Sequence, residues 1–357
     1  MKHTGLLFGS AFLLLSLSAT SSVAATDYVG DTPFDKHKLT SPFLYAVTWQ
    51  QTSAEMAALS YQTYRTAEYV MADKIRLGNY KMRDGRLYED SLIQALDGFV
   101  FVESKPVAIV LDLDETVFDN SPYEVFSLKR PGRYNNDYWA YWCRYQAENP
   151  RAQRTMPGSV EFLKRCMDWG ITPIYITNRD LPEREATLKT LRSMGLGTDT
   201  LEEQLICRDK AKDRQKALDF VRRMRVPEDD PRAVEYLNNA SDKAGRRAEV
   251  ETKYKVIGYF GDNLYDHPVI VDPSLRGKDA IKARFEQVHD NSYRFGVDWF
   301  VLPNITYGSW VKPVIFPNRS RSAMDTLDDC GFGEWILTNG PEDEQKRNRE
   351  YMNKHSK

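Results

Sequence analysis

The sequence predicts an α/β fold in which a parallel β-sheet carries helices on both of its faces. Segments with the apolar spacing of helices separate short apolar segments that have the composition of buried strands. Polar and acidic residues follow several of these strands directly, at the edge where an open α/β sheet binds its ligands. The predicted strands cover residues 107–112, 172–177, 256–260 and 299–302.

The overall composition limits the partners that this chain can have. Its 357 residues include 49 basic and 51 acidic side chains, for a formal net charge of −2, and 41% of the residues are hydrophobic. Such a balance gives no general attraction to nucleic acid or to anionic lipid. We therefore expect a globular protein without a nucleic-acid polymer as partner.

The N-terminal sequence predicts a cleavable signal peptide over residues 1–25. Lys2 precedes an apolar run over 5–17, and small residues lead to a cleavage site after Ala25. This run is shorter than the roughly 20 residues that cross a bilayer. The first cysteine is Cys143, far from the cleavage site, so no lipid anchor is expected. The sequence thus predicts a periplasmic or secreted protein without a membrane anchor.

The four cysteines leave two alternatives open. Cys143, Cys166, Cys207 and Cys330 are too far apart in the sequence for a zinc motif. In an exported protein they could form one or two disulfides. They could equally be four buried thiols.

The apolar spacing predicts four helical segments in this part of the chain. A long one spans about 46–77, and residues 91–106 are predicted to form a second helix and a turn. A third ends at Gly170, and a fourth has Asp180 as its cap and stops at Gly195.

We predict one domain over residues 26–357. It includes a helical N-terminal segment at about 44–100 and an aromatic-rich insert at about 119–155, which together form a cap. A charged insertion at about 209–240 is expected to hold an extra surface helix. The polar tail at about 340–357 is expected to be frayed.

The side chains that could take part in catalysis or metal binding follow three of the predicted strands. The first strand leads into "DLDET" with Asp112 and Asp114, and the third leads into "GDNLYD" with Asp262 and Asp266. Carboxylates from different strands can converge on Mg²⁺, which prefers oxygen ligands. The second strand leads into "TNR", where the Thr177 side chain and neighbouring N–H groups can bind a phosphoryl oxygen.

This set of groups suits phosphoryl transfer. Asp112 could attack phosphorus, because carboxylates form aspartyl-phosphate intermediates. Asp114, two residues further on, is placed to protonate the leaving oxygen and then to deprotonate a water molecule. A lysine would neutralise the nucleophile and the phosphate.

The series DxDxT, TN, K and GDNxxD resembles the phosphohydrolases of the haloacid dehalogenase (HAD) superfamily. The stretches "VLDLDETVFDNSPY", "GYFGDNLYDH" and "LPNITYGSW" are similar to those of bacterial class C acid phosphatases, a group that includes 5′-nucleotidases. The resemblance extends from about Trp49 to Trp310. It implies a HAD-like, Rossmannoid parallel sheet with helices on both faces and a small, mainly helical cap.

The resemblance also implies roles for individual residues. It gives Asp112 as the nucleophile, Asp114 as the acid and base, and Thr177 as a phosphate-binding residue. Mg²⁺ would be held by Asp112, the main-chain carbonyl of Asp114 and Asp262, with Asp266 beside its water ligands. Asn178 and Arg179, which follow Thr177, are the expected substrate-binding residues.

Two assignments stay open at the level of sequence. Lys243 is the favoured phosphate-binding lysine because its spacing to "GDN" is like that of the family, whereas Lys210 and Lys212 lie in a similar context. Trp139 and Tyr307 are the expected pair of rings that would hold a nucleotide base, since stacking accepts any base. Trp142 is the alternative to Trp139, and both rings of the expected pair could instead be buried structural rings.

The sequence therefore predicts a secreted, Mg²⁺-dependent acid phosphatase. Its expected substrate is a small-molecule phosphomonoester, with nucleoside monophosphates as the favoured class. A phosphotransferase that uses the same site is one alternative, and a non-catalytic binding or storage protein on the same fold is another. The sequence leaves the oligomeric state open, including a homo-oligomer.

Overall fold

The structure is a computed structural model. It describes residues 42–89, 92–95, 98–101, 104–128, 135–223, 227, 229, 243–269, 275, 277–311 and 346. The predicted signal peptide, Cys330 and all of the predicted tail except Lys346 lie outside these residues. Among the described helices, none is long and apolar enough to cross a membrane.

Five parallel strands form the central sheet within the described part of the chain. They are β5 (Val107–Leu111), β6 (Thr172–Asp180), β7 (Leu205–Arg208), β8 (Lys255–Gly261) and β9 (Trp299–Val301). Their order across the sheet is β7-β6-β5-β8-β9, so β5 is central. The four predicted strands are confirmed. The edge strand β7 was not predicted, because its four residues alternate between buried and half-buried positions and include only two aliphatic side chains.

The hydrophobic core lies on both faces of this sheet. Successive residues of β5 point to opposite faces and join two different clusters. Val107, Ile109 and Leu111 pack in a cluster with side chains of the helices Ala54–Leu77 and Ser159–Asp168. The alternate residues Ala108 and Val110 pack with Val250 of the helix Ala244–Lys253. The prediction of helices on both faces is thus confirmed.

The described helices follow this order along the chain: α1 (Pro42–Thr52), α2 (Ala54–Leu77), α3 (Ser121–Leu128), α4 (Asn136–Glu148), α5 (Ser159–Asp168), α6 (Arg184–Ser193), α7 (Leu201–Gln204), α8 (Lys210–Arg223), α9 (Ala244–Lys253) and α10 (Gly277–Asp290).

The single helix predicted for 46–77 is interrupted at Ser53. The Ser53 hydroxyl accepts a hydrogen bond of 3.1 Å from the Met56 N–H and so caps the start of α2.

The helical prediction for 91–106 and for the last part of 44–100 is wrong. Four short strands follow α2 and pair as two antiparallel hairpins: β1 (Tyr80–Arg83) with β2 (Arg86–Glu89), and β3 (Leu92–Ala95) with β4 (Gly98–Phe101). Asp84 and Gly85 have φ angles of 47° and 73° between β1 and β2. Asp-Gly pairs favour tight hairpin turns, and the sequence repeats this pair at Asp97-Gly98. Turn chemistry therefore outweighs the helical spacing of the apolar residues.

The predicted helix ends are confirmed in part by the structure. Gly170 and Gly195 have φ angles of 74° and 73° after α5 and α6, as expected for helix stops. Asp180 forms no side-chain cap on the described backbone that follows it. Its carboxylate instead accepts hydrogen bonds from Arg208, at 2.6 Å, and from Lys210, at 2.7 Å. Ion pairing with the neighbouring strand thus replaces the predicted cap.

The three cysteines that the structure describes, Cys143, Cys166 and Cys207, are free and buried. Burial raises the pKa of the Cys143 thiol to about 12 and that of Cys207 to about 11. These thiols are therefore protonated at neutral pH and pack as small apolar side chains. For these three residues the structure favours the buried-thiol alternative.

Candidate active site

The site begins at the carboxyl ends of β5 and β8, which are neighbours in the sheet. Asp112 follows β5, and its N–H donates a 2.9 Å hydrogen bond to the Phe260 carbonyl of β8. Asp262 follows β8 directly. Each of Asp112, Asp262 and Asp266 offers a carboxylate oxygen, and these oxygens lie within 4.8 Å of one another. The parallel pairing of the two strands is therefore what brings together acids that are 150 residues apart in the sequence.

The turn at 264–266 positions Asp266. One carboxylate oxygen of Asp266 accepts a 3.0 Å hydrogen bond from the Asn263 N–H, while the Asn263 side chain caps the same turn. Gly261 makes the close approach possible, because a Cβ atom at this position would lie 2.5 Å from Cγ of Asp266. The glycine of "GDN" is thus a packing requirement of the site.

Lys243 is the lysine that the structure places among these acids. Its Nζ donates to Asp112 Oδ1 and, at 2.7 Å, to Asp266 Oδ1, and the residue is 6% exposed. The other two candidates are exposed, and Lys210 is paired with Asp180 at the end of β6. Lys212 likewise has an exposed side chain on α8.

The buried carboxylates fit a divalent cation. Burial raises the pKa of Asp112 to about 7, although the Lys243 ammonium acts in the opposite direction. Burial, with the neighbouring charges of Asp266 and Asp112, also raises the pKa of Asp262 well above its usual range. Acids that are desolvated side by side are stabilised in their charged form by a cation between them. An all-oxygen donor set is the kind that Mg²⁺ binds.

Asp114 is held by Arg179 and Asn120. The Arg179 guanidinium donates from Nε and Nη2 to the Asp114 carboxylate, with a shortest distance of 2.7 Å. Asn120 Nδ2 donates to the same carboxylate at 2.9 Å. Arg179 is 1% exposed and also donates to Thr187. The predicted substrate contact of Arg179 stays a prediction.

The neighbourhood of Asn120 distinguishes the two tryptophans. Trp142 is buried on α4, and its Nε1 donates a 2.9 Å hydrogen bond to Asn120 Oδ1. It is therefore a supporting residue of the Asn120–Asp114 contact. Trp139 is only half-buried; it meets Tyr123 edge-to-face at 5.0 Å and lies 5.6 Å from the Arg179 guanidinium. Of the two rings, Trp139 is the one that has surface left for a ligand.

Thr177 and Asn178 lie near the carboxyl end of β6. Thr177 is fully buried, and its hydroxyl accepts a 3.1 Å hydrogen bond from the Arg179 N–H. Asn178 is exposed, as a substrate-binding side chain requires. Arg246 of α9 donates to the Thr177 carbonyl and to Asn178 Oδ1, both at 2.6 Å. The sequence analysis did not single out Arg246, since an arginine in a charged helix has no distinguishing pattern.

The loop that follows β9 supports the acids from the other side. Asn304 Nδ2 donates to Asp262 Oδ2 at 2.8 Å, and Asn304 Oδ1 accepts from the N–H groups of Thr306 and Tyr307. Ser309 Oγ lies 2.5 Å from Asn263 Oδ1. Tyr307 is half-buried in this loop. Asn304 was another residue that the sequence analysis missed, although it belongs to the quoted stretch "LPNITYGSW".

A parallel sheet whose central strand ends in two aspartates, facing a lysine and the acids of a neighbouring strand, defines a phosphohydrolase of the HAD type. Within this class, the chain belongs to the acid phosphatases of HAD superfamily subfamily IIIB, whose family model matches residues 20–310. Enzymes of this superfamily generally use a divalent metal ion, which agrees with the acidic cluster described above. The chain is therefore a phosphomonoesterase.

Solved structures support this assignment. The class C acid phosphatase from Bacillus anthracis shares 28% sequence identity with this chain, with a TM-score of 0.56. The match covers 82% of this chain and 95% of that one. A second structure of the same enzyme, with tungstate bound, matches with the same identity, coverage and TM-score.

Proposed function

We propose that this protein is a Mg²⁺-dependent acid phosphatase that hydrolyses phosphomonoesters through an aspartyl phosphate on Asp112. The observation that carries the proposal is the convergence of Asp112, Asp262 and Asp266 on one point, with Lys243 hydrogen-bonded to two of them. Asp114, fixed by Arg179, lies two residues from the nucleophile. This is the set of groups that an in-line displacement at phosphorus requires.

In the first step, an oxygen of Asp112 forms a bond to phosphorus as the bond between phosphorus and the ester oxygen breaks. Asp114 gives its proton to the leaving oxygen, so the alcohol departs neutral. In the second step, a water molecule attacks the same phosphorus as the bond between phosphorus and the Asp112 oxygen breaks, and Asp114 takes a proton from the water. Phosphate then leaves, and Asp112 returns as a carboxylate. The contacts of Asp114 with Arg179 and Asn120 hold its carboxyl group in one place for both transfers.

The residues that would hold Mg²⁺ are Asp112, Asp262 and the main-chain carbonyl of Asp114, with Asp266 beside them. When bound, the cation withdraws charge from the phosphoryl oxygens and reduces their repulsion from the nucleophile. Lys243 adds a positive charge beside Asp112. Thr177 and the adjacent N–H groups are proposed to bind a phosphoryl oxygen.

Nucleoside monophosphates are the proposed substrate class. The half-buried ring of Trp139 lies beside Arg179, and therefore near Asp114, while Tyr307 lies in the loop that holds Asp262. Aromatic rings beside a phosphate site can stack on a planar base, so we propose that Trp139 and Tyr307 hold the base between them. The Bacillus anthracis relative binds tungstate, a tetrahedral oxyanion like phosphate, which supports the phosphoryl site but leaves the organic part of the substrate to be tested.

The leader-like sequence over residues 1–25 supports export as part of this proposal. Sequencing the N-terminus of the protein recovered from the periplasm or the medium would test it. A mature chain that starts close to Thr26 is the expected result.

Phosphotransfer is an alternative outcome at the same site, in which an alcohol replaces water in the second step. The chemistry of Asp112 and Asp114 is the same for both acceptors. Product analysis with added alcohol separates them, since a transferase would form a new phosphomonoester. A non-catalytic storage role would call for a changed nucleophile, whereas Asp112 is in place.

The test of the proposal is phosphate release from a nucleoside monophosphate with and without Mg²⁺, in the wild type and in Asp112→Asn. Loss of the nucleophile should lower the rate by about 10³-fold or more, because the covalent route is closed. Asp199→Asn, a change at an exposed aspartate, is the matched control and should leave the rate unchanged. Near-normal turnover in Asp112→Asn would overturn the covalent mechanism.

A second prediction concerns substrate choice. Trp139→Ala should raise KM for a nucleoside monophosphate about tenfold, since base stacking contributes about 1–3 kcal/mol per base. KM for a small alkyl phosphate, which has no base, should change little. Tyr141→Ala removes an exposed ring of the same helix and serves as the control. Equal effects of Trp139→Ala on both substrates would contradict the stacking role.

A further inference from the structure

Three cationic side chains at the start of α9 lie in or beside the site. Lys243 directly precedes this helix, and Arg246 and Arg247 lie in its first turn. Arg246 and Arg247 are each only 4% exposed. Burying a charged side chain is unfavourable unless it is hydrogen-bonded, and both guanidinium groups donate hydrogen bonds. Among the described contacts, those that Arg246 and Arg247 make with the strand ends lie on different parts of the site.

Arg246 holds the end of β6. Its Nη1 donates to the Thr177 carbonyl and its Nη2 to Asn178 Oδ1, both at 2.6 Å. A trans peptide unit is planar, and its C=O and N–H groups point in opposite directions. Fixing the Thr177 carbonyl therefore also fixes the direction of the Asn178 N–H, which is one of the groups proposed to bind a phosphoryl oxygen.

Arg247 holds the turn at 264–266. Its Nη1 donates to the Tyr265 carbonyl at 2.7 Å. The N–H of the same peptide unit belongs to Asp266 and donates to the Asn263 carbonyl at 2.9 Å. The peptide that leads into Asp266 is thus held at both ends. Asp266 is one of the three acids of the proposed cation site.

We propose that these adjacent arginines are positioning residues with separate tasks: Arg246 sets the affinity for the phosphoryl group, and Arg247 sets the affinity for the divalent cation. Lys243, at the start of the same helix, contacts Asp112 and Asp266 and so lies between the two halves of the site. One helical turn therefore aligns the anion-binding and cation-binding groups relative to each other. This inference rests on the proposed function.

The test compares Arg246→Met and Arg247→Met by calorimetric titration of the full-length mature protein. Methionine keeps the length and the apolar stem of the side chain but removes every donor. Mg²⁺ is titrated in the absence of phosphate, and inorganic phosphate is titrated at saturating Mg²⁺. Thermal unfolding of each variant reports whether the fold is retained. Lys253→Met, a change at an exposed cation in the last turn of α9, is the matched control.

Arg246→Met should weaken phosphate binding about tenfold and change Mg²⁺ binding by less than about twofold, because its contacts are on the end of β6. Arg247→Met should weaken Mg²⁺ binding about tenfold, as residues that orient metal ligands commonly do. Arg246→Lys should recover only part of the phosphate affinity, since one ammonium cannot replace the two-point contact of a guanidinium. Lys253→Met should change neither affinity.

Equal losses of both affinities in both variants would overturn the division of tasks and indicate a general structural role. Unchanged affinities in both variants would overturn it as well. Full recovery in Arg246→Lys would mean that charge, and not position, is what Arg246 supplies. A wild-type protein that binds neither Mg²⁺ nor phosphate would instead refute the proposed function, and the inference would fall with it.

Discussion

At the scale of single residues, the position of Asp114 is set by contacts with neighbouring side chains. A group that gives a proton in one step and takes one in the next has to keep its position in both protonation states. Arg179 supplies a two-point contact to Asp114 from a fully buried position, and Asn120 supplies a third. Trp142 in turn holds Asn120 through its indole N–H. The proposed acid and base, Asp114, is therefore held by residues from the insert and from β6.

This arrangement predicts a dependence on the leaving group. Arg179→Lys keeps the charge but loses the guanidinium fork, so Asp114 should be less well placed to protonate the leaving oxygen. We expect kcat/KM to fall about 10²-fold for an alkyl phosphate, within the range for general acid catalysis. For p-nitrophenyl phosphate the fall should be smaller, because its leaving group departs without a proton.

The measurement is kcat/KM for both esters, because this ratio reports on the step that breaks the ester bond. Arg192→Lys, at an exposed arginine of α6, is the control. Equal losses for the two esters would argue against a positioning role for Arg179.

At the scale of elements, the turn after β8 leaves no room for a side chain at Gly261. Gly261 ends β8, and the side chain of Asp266 packs directly against its Cα. The same turn is held by Arg247, by Ser309 and by its own capping contacts. Movement of this turn would displace Asp266 and change the acidic cluster.

Gly261→Ala should therefore damage the cation site. The added Cβ would lie 2.5 Å from Cγ of Asp266, so the carboxylate has to move. We expect Mg²⁺ affinity to fall at least tenfold, as it does when metal ligands are misoriented. Gly245→Ala on α9 is the matched control, because a Cβ at that position meets nothing within 4 Å. It should retain Mg²⁺ affinity and stabilise the helix by up to about 1 kcal/mol. Normal Mg²⁺ binding by Gly261→Ala would show that the turn can adapt.

At the scale of the whole molecule, the buried acids link stability to pH and to metal. Burial raises the pKa of Asp112 to about 7, whereas an unfolded aspartate titrates near about 3.9. Between these values the metal-free folded state binds more protons than the unfolded chain. The contribution of Asp112 to the free energy of unfolding therefore falls as pH rises through this window. The raised pKa of Asp262 acts in the same direction.

The prediction is that the metal-free protein loses stability as pH rises through this window and that Mg²⁺ offsets more of this loss at higher pH. With a chelator present, the wild type should lose stability between pH 5 and pH 8 relative to Asp112→Asn. This variant lacks the titrating carboxyl group of Asp112. The increase in Tm that Mg²⁺ produces should be larger at pH 8 than at pH 5, because the ligands have to be deprotonated. Calorimetric scans at four pH values would check both trends. A difference in Tm between the two proteins that stays constant with pH would contradict the assignment.

Much of the fold could be predicted because short local patterns in the sequence mark its strands and helix ends. Buried strands such as 107–111 are continuous apolar runs, and Gly170 and Gly195 mark helix ends. The hairpins after α2 were missed because their strands are only four residues long and apolar spacing over such lengths is ambiguous. Asp180 was assigned as a cap because its partner Arg208 lies on a strand that the sequence did not reveal.

The sequence by itself determined the family of this protein, the positions of its main strands along the chain and the acids that follow two of them. These properties depend on residue types at fixed short spacings, which a single chain displays directly. Only the tertiary structure decided which lysine meets Asp112, which tryptophan is structural, and that Arg246, Arg247 and Asn304 support the site. Those contacts join residues that are distant along the chain, and their partners are set by the pairing of strands and the docking of α9, which no local pattern encodes.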